Sequence, residues 1–241
     1  MDSLFGEIQE SSACGVGFIT SRINTPSHDI LLQGLRALSC VEHRGACAYD
    51  GVSGDGAGIM TDIPFKLLGY ERHKVAVASL FAPQDAVRRS EVLKVFEDTF
   101  EFFGLKVISY REVPVDLEIL GTLARQSVPA ILHALIERPP HCSTGYTFDQ
   151  LLYDARQLLR SKMRDKGYVR EFFFTSLSSK TIIYKGMLRS SDLSKFYPDL
   201  QNPQYRTRFA LFHRRFSTNT RTSWDKAQPF RMIGHNGEIN T

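Results

Sequence analysis

Apolar runs of strand length alternate with longer amphipathic stretches in the first half of the chain. The runs GVGFIT (residues 15–20) and KVAVASLFA (residues 74–82) predict strands, and LKVISYREV (residues 105–113) resumes strand character. Two helices are predicted between them, over residues 28–41 and 83–104, because apolar residues recur there at helical spacing. The apolar faces of these helices are formed by Leu31, Leu35, Leu38, Val92, Phe96, Phe100 and Phe103.

The second half of the chain continues this alternation. We expect residues 129–145, which include RPPHCSTG, to form a surface loop, and residues 148–167 to form a helix. Residues 171–186 predict a β-hairpin that turns at Ser-Ser-Lys. Further strands are predicted over residues 206–218 and 230–241, the second of which runs into an Asn-Gly turn. Antiparallel strands with helices between them indicate layered sheets covered by helices.

Composition and charge narrow the class of protein. Hydrophobic residues make up 42% of the 241 residues and charged residues 23%, which is typical of a soluble globular protein. The formal net charge is only +4 and the basic residues are scattered, so we expect no nucleic-acid partner and no membrane partner. The 4 cysteines form no CxxC pair and show no zinc-ligand spacing, which indicates a reducing compartment.

The residues before Cys14 do not have the pattern of a targeting segment. They lack a basic n-region and an apolar h-region, and they contain Asp2, Glu7 and Glu10 but no Lys or Arg. They therefore match neither a secretory signal nor a transit peptide. We expect a short leader that precedes the folded structure.

A glycine-rich segment, GVSGDGAG (residues 51–58), has two interpretations. Glycines let backbone N–H groups approach a phosphate, but the segment lacks the GxxxxGK[ST] pattern and does not follow a strand as in a dinucleotide fold. A turn that needs positive φ at several positions explains the glycines more simply. We therefore interpret Asp55, in the same segment, as a structural residue.

Separated motifs occur in order along the chain: CGVGFI, EHRGACAYDGVSGDGAGI, FHRRFSTNTRTSWDKAQPF and HNGEINT. With these motifs the sequence resembles the N-terminal glutaminase domain of glutamate synthase, a class II glutamine amidotransferase of the N-terminal-nucleophile hydrolase type. The resemblance extends from about Cys14 to Thr241. It implies an α+β fold, a four-layer αββα sandwich with two mainly antiparallel sheets, C-terminally truncated in this chain.

The resemblance implies a role for the leader. In the family, a short propeptide is removed so that the cysteine becomes the first residue, here by a cut between Ala13 and Cys14. Residues 1–13 would then be the propeptide, and residues 14–241 the glutaminase domain, incomplete at its C-terminus. A free α-amino group has a pKa of about 7.7 to 8.0, so Cys14 would supply both the nucleophile, its sulfur, and the base, its amine.

The same motifs imply further site residues. An Asn side chain and an adjacent backbone N–H can stabilise the oxyanion that forms when the glutamine amide is attacked, and a planar guanidinium can bind the α-carboxylate. By position in the family motifs, Asn236 and Gly237 take the first role and Arg215 takes the second. The remaining positions matched to the glutamine site are Phe216 and Thr218 in the pocket wall and Arg44 as a supporting residue.

Neighbouring positions are interpreted as structural. Arg214 would point to the other side of its strand from Arg215, so we expect it in a surface or structural ion pair. Gln228 and Pro229 match a family signature and would shape the loop beside the glutamine pocket. Just before them, Asp-Lys stands where the family more often has Pro and an apolar residue. The family's acidic residue for the substrate α-amino group lies downstream of Thr241, so we expect an N-terminal fragment.

The resemblance also implies what lies outside this segment. No cofactor or metal is expected within it, whereas the full-length parent would carry FMN and an iron–sulfur cluster and use the ammonia with 2-oxoglutarate in downstream domains. The expected partners are L-glutamine, those domains, and ferredoxin or an NADPH-linked subunit. The segment YKGMLRSSDLSKFY is slightly more similar to the ferredoxin-dependent type. The cytoplasm or the plastid stroma suits such a protein.

Two alternatives remain open. The chain can be a non-catalytic fragment or interaction domain that keeps the fold, either because the leader stays attached or because the pocket lacks its C-terminal part. It can also be the glutaminase domain of another enzyme, such as a phosphoribosyl amidotransferase. The long insert between the HRGACAYDG and HRRFST motifs disfavours that enzyme, because its family is more compact there.

Overall fold

The computed structural model describes residues 15–142, 144–214 and 222–230. The strands in this part of the chain are β1 Gly15–Thr20, β2 Ala57–Asp62, β3 Val75–Ala82, β4 Val107–Glu112, β5 Ala130–Glu137, β6 Phe173–Ser178, β7 Thr181–Gly186 and β8 Phe209–Arg214. The α-helices are α1 His28–Cys40, α2 Phe65–Leu68, α3 Ala86–Phe102, α4 Thr122–Gln126, α5 Gly145–Asp165 and α6 Leu193–Phe196. Short 3-10 helices lie at Glu42–Arg44, Leu117–Ile119, Ser190–Asp192 and Pro198–Gln201.

The first sheet has the strand order β1-β8-β2-β7, and neighbouring strands are antiparallel. Arg214 at the end of β8 pairs with Gly15 at the start of β1 and with Ala57 at the start of β2. Ala57 in turn pairs with Gly186, the last residue of β7. One end of this sheet is therefore formed by strand starts and strand ends that lie in register.

Helix α1 packs against the first sheet, mainly on β8 and β1. Ser27 caps its start, because the serine side chain accepts a hydrogen bond from the Ile30 N–H. The leucines of the predicted apolar face, Leu31, Leu35 and Leu38, are all buried. The helix predicted from their spacing is confirmed, and its burial on β1 and β8 supports the strands that lead to the candidate site.

The second sheet has the strand order β4-β5-β3-β6 and is also antiparallel. Its strand β3 is buried on both faces. Val77 and Phe81 lie in a core shared with the first sheet and α1, whereas Ala78 and Leu80 lie in a second core with α3 and α5. In the described residues the fold is thus α+β, with two antiparallel sheets and helices packed on both. This architecture is consistent with the predicted N-terminal-nucleophile hydrolase class.

The surface loop expected at residues 129–145 is wrong for most of its length. Ala130–Glu137 is strand β5, which lies between β4 and β3 and is buried along most of its length. Its run AILHALIE is apolar enough for a strand with both faces covered. The nearby prolines favoured a loop, but a proline restricts only the residues next to it. Residues 138–142 keep the predicted irregular structure.

The hairpin predicted at residues 171–186 is wrong in its pairing. Both strands form, as β6 and β7, but they belong to different sheets. Ser176 Oγ accepts a hydrogen bond from the Ile183 N–H at 3.2 Å, and Thr175 Oγ1 donates to the Ile183 carbonyl at 3.2 Å. Side chains thus replace the backbone ladder of a hairpin. The short link between the strands carries the chain from the second sheet to the first.

A buried polar cluster joins the second sheet to the segment before β8. Arg111 on β4 donates to the two carboxylate oxygens of Asp199 at 2.8 and 2.7 Å, and the Tyr184 hydroxyl donates to Asp199 at 2.9 Å. Burial, together with the Arg111 charge beside it, lowers the pKa of His133 to about 3, so this ring is neutral at neutral pH. Because His133 is uncharged, the charges of this cluster are the Arg111 cation and the Asp199 carboxylate that balances it.

We predict that Asp199→Asn destabilises the fold by about 3 kcal/mol, because the half-buried Arg111 guanidinium loses its buried charge partner. The measurement is the free energy of unfolding in urea at neutral pH. Asp98→Asn is the control, since Asp98 pairs with Lys94 at 2.7 Å on the exposed surface of α3. Such a pair contributes about 0.5 kcal/mol. Equal losses in the two variants would contradict the structural role of the cluster.

Candidate functional site

Most of the predicted site residues lie outside the residues that the structure describes. These are Cys14, Arg215, Phe216, Thr218, Asn236 and Gly237. Arg44 ends the 3-10 helix Glu42–Arg44, but its side chain is likewise outside the described part. The structure describes instead the frame to which these residues are attached. That frame consists of the ends of β1 and β8, the loop after Arg44, and residues 222–230.

The frame brings the attachment points of two predicted residues together. Gly15 follows Cys14 in the chain and Arg214 precedes Arg215. Gly15 and Arg214 are paired across β1 and β8. Consecutive Cα atoms are about 3.8 Å apart. The predicted nucleophile and the predicted carboxylate-binding arginine are therefore joined to the same end of the first sheet.

Arg214 is buried at this end of the sheet, with 1% of its surface exposed. Its Nη1 donates to the Asp55 carboxylate and, at 3.0 Å, to the Gly56 carbonyl. Its Nη2 donates to Glu42 Oε1 at 3.1 Å and to the Ala46 carbonyl at 3.3 Å. The structural ion pair predicted for Arg214 is confirmed, and it is buried rather than on the surface. Its bond to Asp55 agrees with the structural interpretation of that residue.

The residue after Arg44 packs directly on this guanidinium. A Cβ at Gly45 would lie 2.0 Å from Arg214 Cζ, so no larger residue fits without a shift. The next residue, Ala46, donates its N–H to the Asp55 carboxylate at 2.9 Å, and the Asp55 N–H donates to the Ala46 carbonyl at 3.1 Å. The loop that follows Arg44 is thus fixed against the end of β8.

The glycine-rich loop is held in place by bonds within the protein. Asp50 accepts hydrogen bonds from Ser53 Oγ at 2.6 Å and from the Leu123 N–H at 3.2 Å. These bonds, above all the one from the Ser53 hydroxyl, hold the pKa of Asp50 well below its usual range. Gly51 and Gly56 have positive φ, at 67° and 132°. The predicted turn with positive φ is confirmed in this segment.

Residues 222–230 lie against the first sheet. The Trp224 side chain is buried, and its Nε1 donates to the Ala124 carbonyl at 3.3 Å. Gln228 passes over Gly58 of β2, where a Cβ would lie 2.4 Å from the Gln228 carbonyl oxygen. In the sequence, this segment lies between the predicted glutamine-binding residues and the predicted oxyanion residues. Its anchoring therefore fixes the chain between the two motifs.

Lys185 is a buried cation that no sequence pattern indicated. It lies on β7 with none of its surface exposed, and its Nζ donates to the Asp225 carbonyl at 2.8 Å. The ammonium is 4.1 Å from the centroid of the Phe230 ring and 4.7 Å from that of Phe173. Burial lowers the pKa of Lys185 to about 7. Because lysines in strands mostly face water, no local pattern could have revealed this contact.

The described ranges contain neither a metal-ligand cluster nor a membrane-spanning helix. Among these residues, no group of three or more His, Cys, Asp or Glu side chains could hold a metal ion. Cys40, Cys47 and Cys142 are free thiols. None of the helices described here is long and apolar enough to cross a bilayer.

Residues 14–241 match the family described as glutamine amidotransferases class-II. The chain belongs to this family. This amidotransferase is 43% identical to ferredoxin-dependent glutamate synthase 1, chloroplastic/mitochondrial, of Arabidopsis thaliana, over 97% of the chain and 15% of that relative. It is 42% identical to ferredoxin-dependent glutamate synthase 2 of Synechocystis sp. over the same shares. The ferredoxin-dependent glutamate synthase of Cyanidium caldarium is also 42% identical, with 97% of the chain and 16% of the relative covered.

We predict that Lys185 makes the stability of this amidotransferase domain depend on pH. The pKa of Lys185 is lowered to about 7 in the folded chain. The unfolded chain therefore binds more protons between that value and the ordinary lysine pKa, and stability rises with pH across this window. Lys185→Met removes the dependence, so the variant is expected to gain stability relative to the unmodified chain below the window and to lose this advantage above it.

Unfolding in urea on both sides of the window measures this difference. Lys226→Met is the matched control, because Lys226 is an exposed lysine in the segment that Lys185 contacts. A stability difference between Lys185→Met and the unmodified chain that does not change with pH would refute the prediction.

Proposed function

We propose that this chain is the glutaminase part of a glutamate synthase and that it hydrolyses L-glutamine to glutamate and ammonia through a thioester on Cys14. Membership in the class-II glutamine amidotransferases and the names of its relatives support the proposal. The observation that carries it is the pairing of Gly15 with Arg214. This pairing joins the proposed nucleophile and the proposed glutamine-binding Arg215 to one end of the first sheet.

The reaction requires removal of residues 1–13. An amide nitrogen between Ala13 and Cys14 cannot act as a base, whereas a free α-amine with a pKa of about 7.7 to 8.0 is partly unprotonated near neutral pH. The cut therefore gives Cys14 both a nucleophilic sulfur and a base. Residues 14–241 then belong to the mature glutaminase domain.

The sulfur of Cys14 attacks the side-chain carboxamide carbon of glutamine and forms a tetrahedral oxyanion. The Asn236 side chain and the Gly237 N–H donate hydrogen bonds to that oxyanion. The α-amine takes the thiol proton and passes it to the leaving nitrogen, so ammonia departs and a thioester remains. Water then attacks the thioester, which releases glutamate and restores the thiol.

Glutamine is held through its α-carboxylate. The guanidinium of Arg215 offers two parallel N–H donors to the two carboxylate oxygens, and Phe216 and Thr218 form the wall of the pocket. Arg44 supports the site from the loop that packs on Arg214. The buried contact between Arg214 and Gly45 supports this placement, because it fixes the backbone on the C-terminal side of Arg44.

The ammonia is used by the longer parent protein. The relatives are named ferredoxin-dependent glutamate synthases, so we propose that downstream domains combine the ammonia with 2-oxoglutarate, with FMN, an iron–sulfur cluster and electrons from ferredoxin. An NADPH-linked subunit is the alternative electron donor. Several relatives are named chloroplastic, and the plastid stroma or a bacterial cytoplasm suits this chemistry.

We predict that the purified chain loses residues 1–13 and is then alkylated at Cys14 by the glutamine analogue 6-diazo-5-oxo-norleucine, with loss of dinitrogen. Intact mass and peptide mapping measure both events. Cys14→Ala abolishes the adduct, whereas Cys47→Ala, at an exposed free thiol, leaves it unchanged. A full-length mass without an adduct would reject the proposal and favour the non-catalytic interaction domain.

A second prediction concerns the oxyanion. Asn236→Ala is expected to lower kcat for ammonia release by about 10²–10³-fold with little change in KM, because the lost hydrogen bond acts mainly in the transition state. An enzyme-coupled ammonia assay on the processed chain measures both constants. Arg215→Lys is the contrasting variant, in which KM rises because the paired contact with the carboxylate is lost. An effect of Asn236→Ala on KM alone would assign this residue to substrate binding.

A further inference from the structure

We propose that Arg214 is a positioning residue of this site, an inference that rests on the proposed function. Its guanidinium is buried in the protein and acts through its neighbours rather than on glutamine. Arg215 follows it in the chain, and its strand partner Gly15 follows Cys14. A displacement of Arg214 would therefore be transmitted directly to the nucleophile and to the carboxylate-binding residue.

One guanidinium joins separate segments of the chain. Nη1 donates to the Asp55 carboxylate and to the Gly56 carbonyl, both in the glycine-rich loop. Nη2 donates to Glu42, in the 3-10 helix, and to the Ala46 carbonyl, in the loop that follows it. Arg214 itself ends β8. Because a guanidinium is planar and rigid, these bonds fix the relative orientation of all the segments that it touches.

The contact with Gly45 also couples the position of the Arg214 guanidinium to the backbone next to Arg44. A Cβ at Gly45 would lie 2.0 to 2.3 Å from Cζ, Nη2 and Nε of Arg214. Such nearly equal distances place the loop backbone over the face of the guanidinium. If the guanidinium moves, the backbone next to Arg44 loses its support. A misplacement of about 1 Å in a catalytic arrangement can cost about 10²-fold in rate.

The local charge makes this position specific for arginine. The carboxylates of Glu42 and Asp55 both converge on the guanidinium. Without it, the two carboxylates would repel each other at the buried end of the sheet, and breaking a buried pair in this way is strongly unfavourable. Lysine keeps the charge but carries a compact ammonium, which cannot reproduce the planar set of donors.

A similar ion pair at the far end of the same sheet supplies the control. Arg208, just before β8, donates from Nε to Asp62 Oδ2 at 3.0 Å. Asp62 is the last residue of β2, whereas Arg214 pairs with Ala57 at the start of that strand. The Arg208–Asp62 pair therefore joins the start of β8 to the end of β2, at the opposite end of the same two strands. It does not contact the loop that follows Arg44.

The experiment compares Arg214→Met, Arg214→Lys and Arg208→Met in the chain expressed without residues 1–13. The inhibition constant and the rate of Cys14 alkylation by 6-diazo-5-oxo-norleucine are measured where circular dichroism shows each variant folded, together with the free energy of unfolding. We expect both Arg214 variants to lose about 10²-fold in second-order alkylation rate, with weaker binding of the analogue. Arg208→Met keeps the rate of the unmodified chain while it loses stability.

Each outcome decides the proposal. Unchanged alkylation in a folded Arg214 variant would overturn it, and so would equal rate losses in Arg208→Met and Arg214→Met, because the effect would then follow stability alone. If Arg214→Met does not fold, Arg214→Lys decides between these results. Absence of alkylation in the unmodified chain would reject the proposed function itself, and this role of Arg214 with it.

Discussion

The buried charge of Arg214 is the constraint on which the candidate site depends. A guanidinium removed from water is costly unless its charge is matched and most of its N–H groups are bonded. At the end of β8, the carboxylates of Glu42 and Asp55 match the charge, and together with two backbone carbonyls they accept hydrogen bonds from Nη1 and Nη2. To do so, the glycine-rich loop must fold back on the loop after Arg44, and position 45 must have no side chain. The ion pairs of Arg214 with Asp55 and Glu42 therefore determine how these two loops pack at the end of β8.

Polar contacts also fix other irregular segments, whereas apolar packing holds the helices to the sheets. Arg111 and Asp199 connect the second sheet to the segment before β8. Lys185 connects β7 to residues 222–230. An apolar contact is not directional, but a hydrogen bond to a buried charge fixes position and orientation together. The segments that precede and follow the proposed glutamine-binding motif in the sequence are therefore held by Arg111 and Lys185.

Local periodicity explains which elements could be predicted. α1 and α3 were predicted from apolar residues at helical spacing, and β1 and β3 from apolar runs of strand length. The prolines close to the apolar run of β5 predict a loop there, but the burial of this run between two other strands outweighs them. The turn between β6 and β7 resembles that of a hairpin, but side-chain bonds take the place of a ladder and the strands enter different sheets. A short connection keeps two strands close in space, but it does not determine whether they pair with each other.

The order of residues was enough to give the family, the candidate nucleophile and the structural role of Arg214, because motifs and hydrophobic period are local properties of the chain. It could not give the partners of that arginine. Asp55 lies 159 positions from Arg214 in the sequence, and the two meet only when β8 pairs with β2. The sheet to which β7 belongs and the burial of Lys185 are decided in the same way. Such contacts depend on strand pairing between distant segments, and no local pattern specifies that pairing.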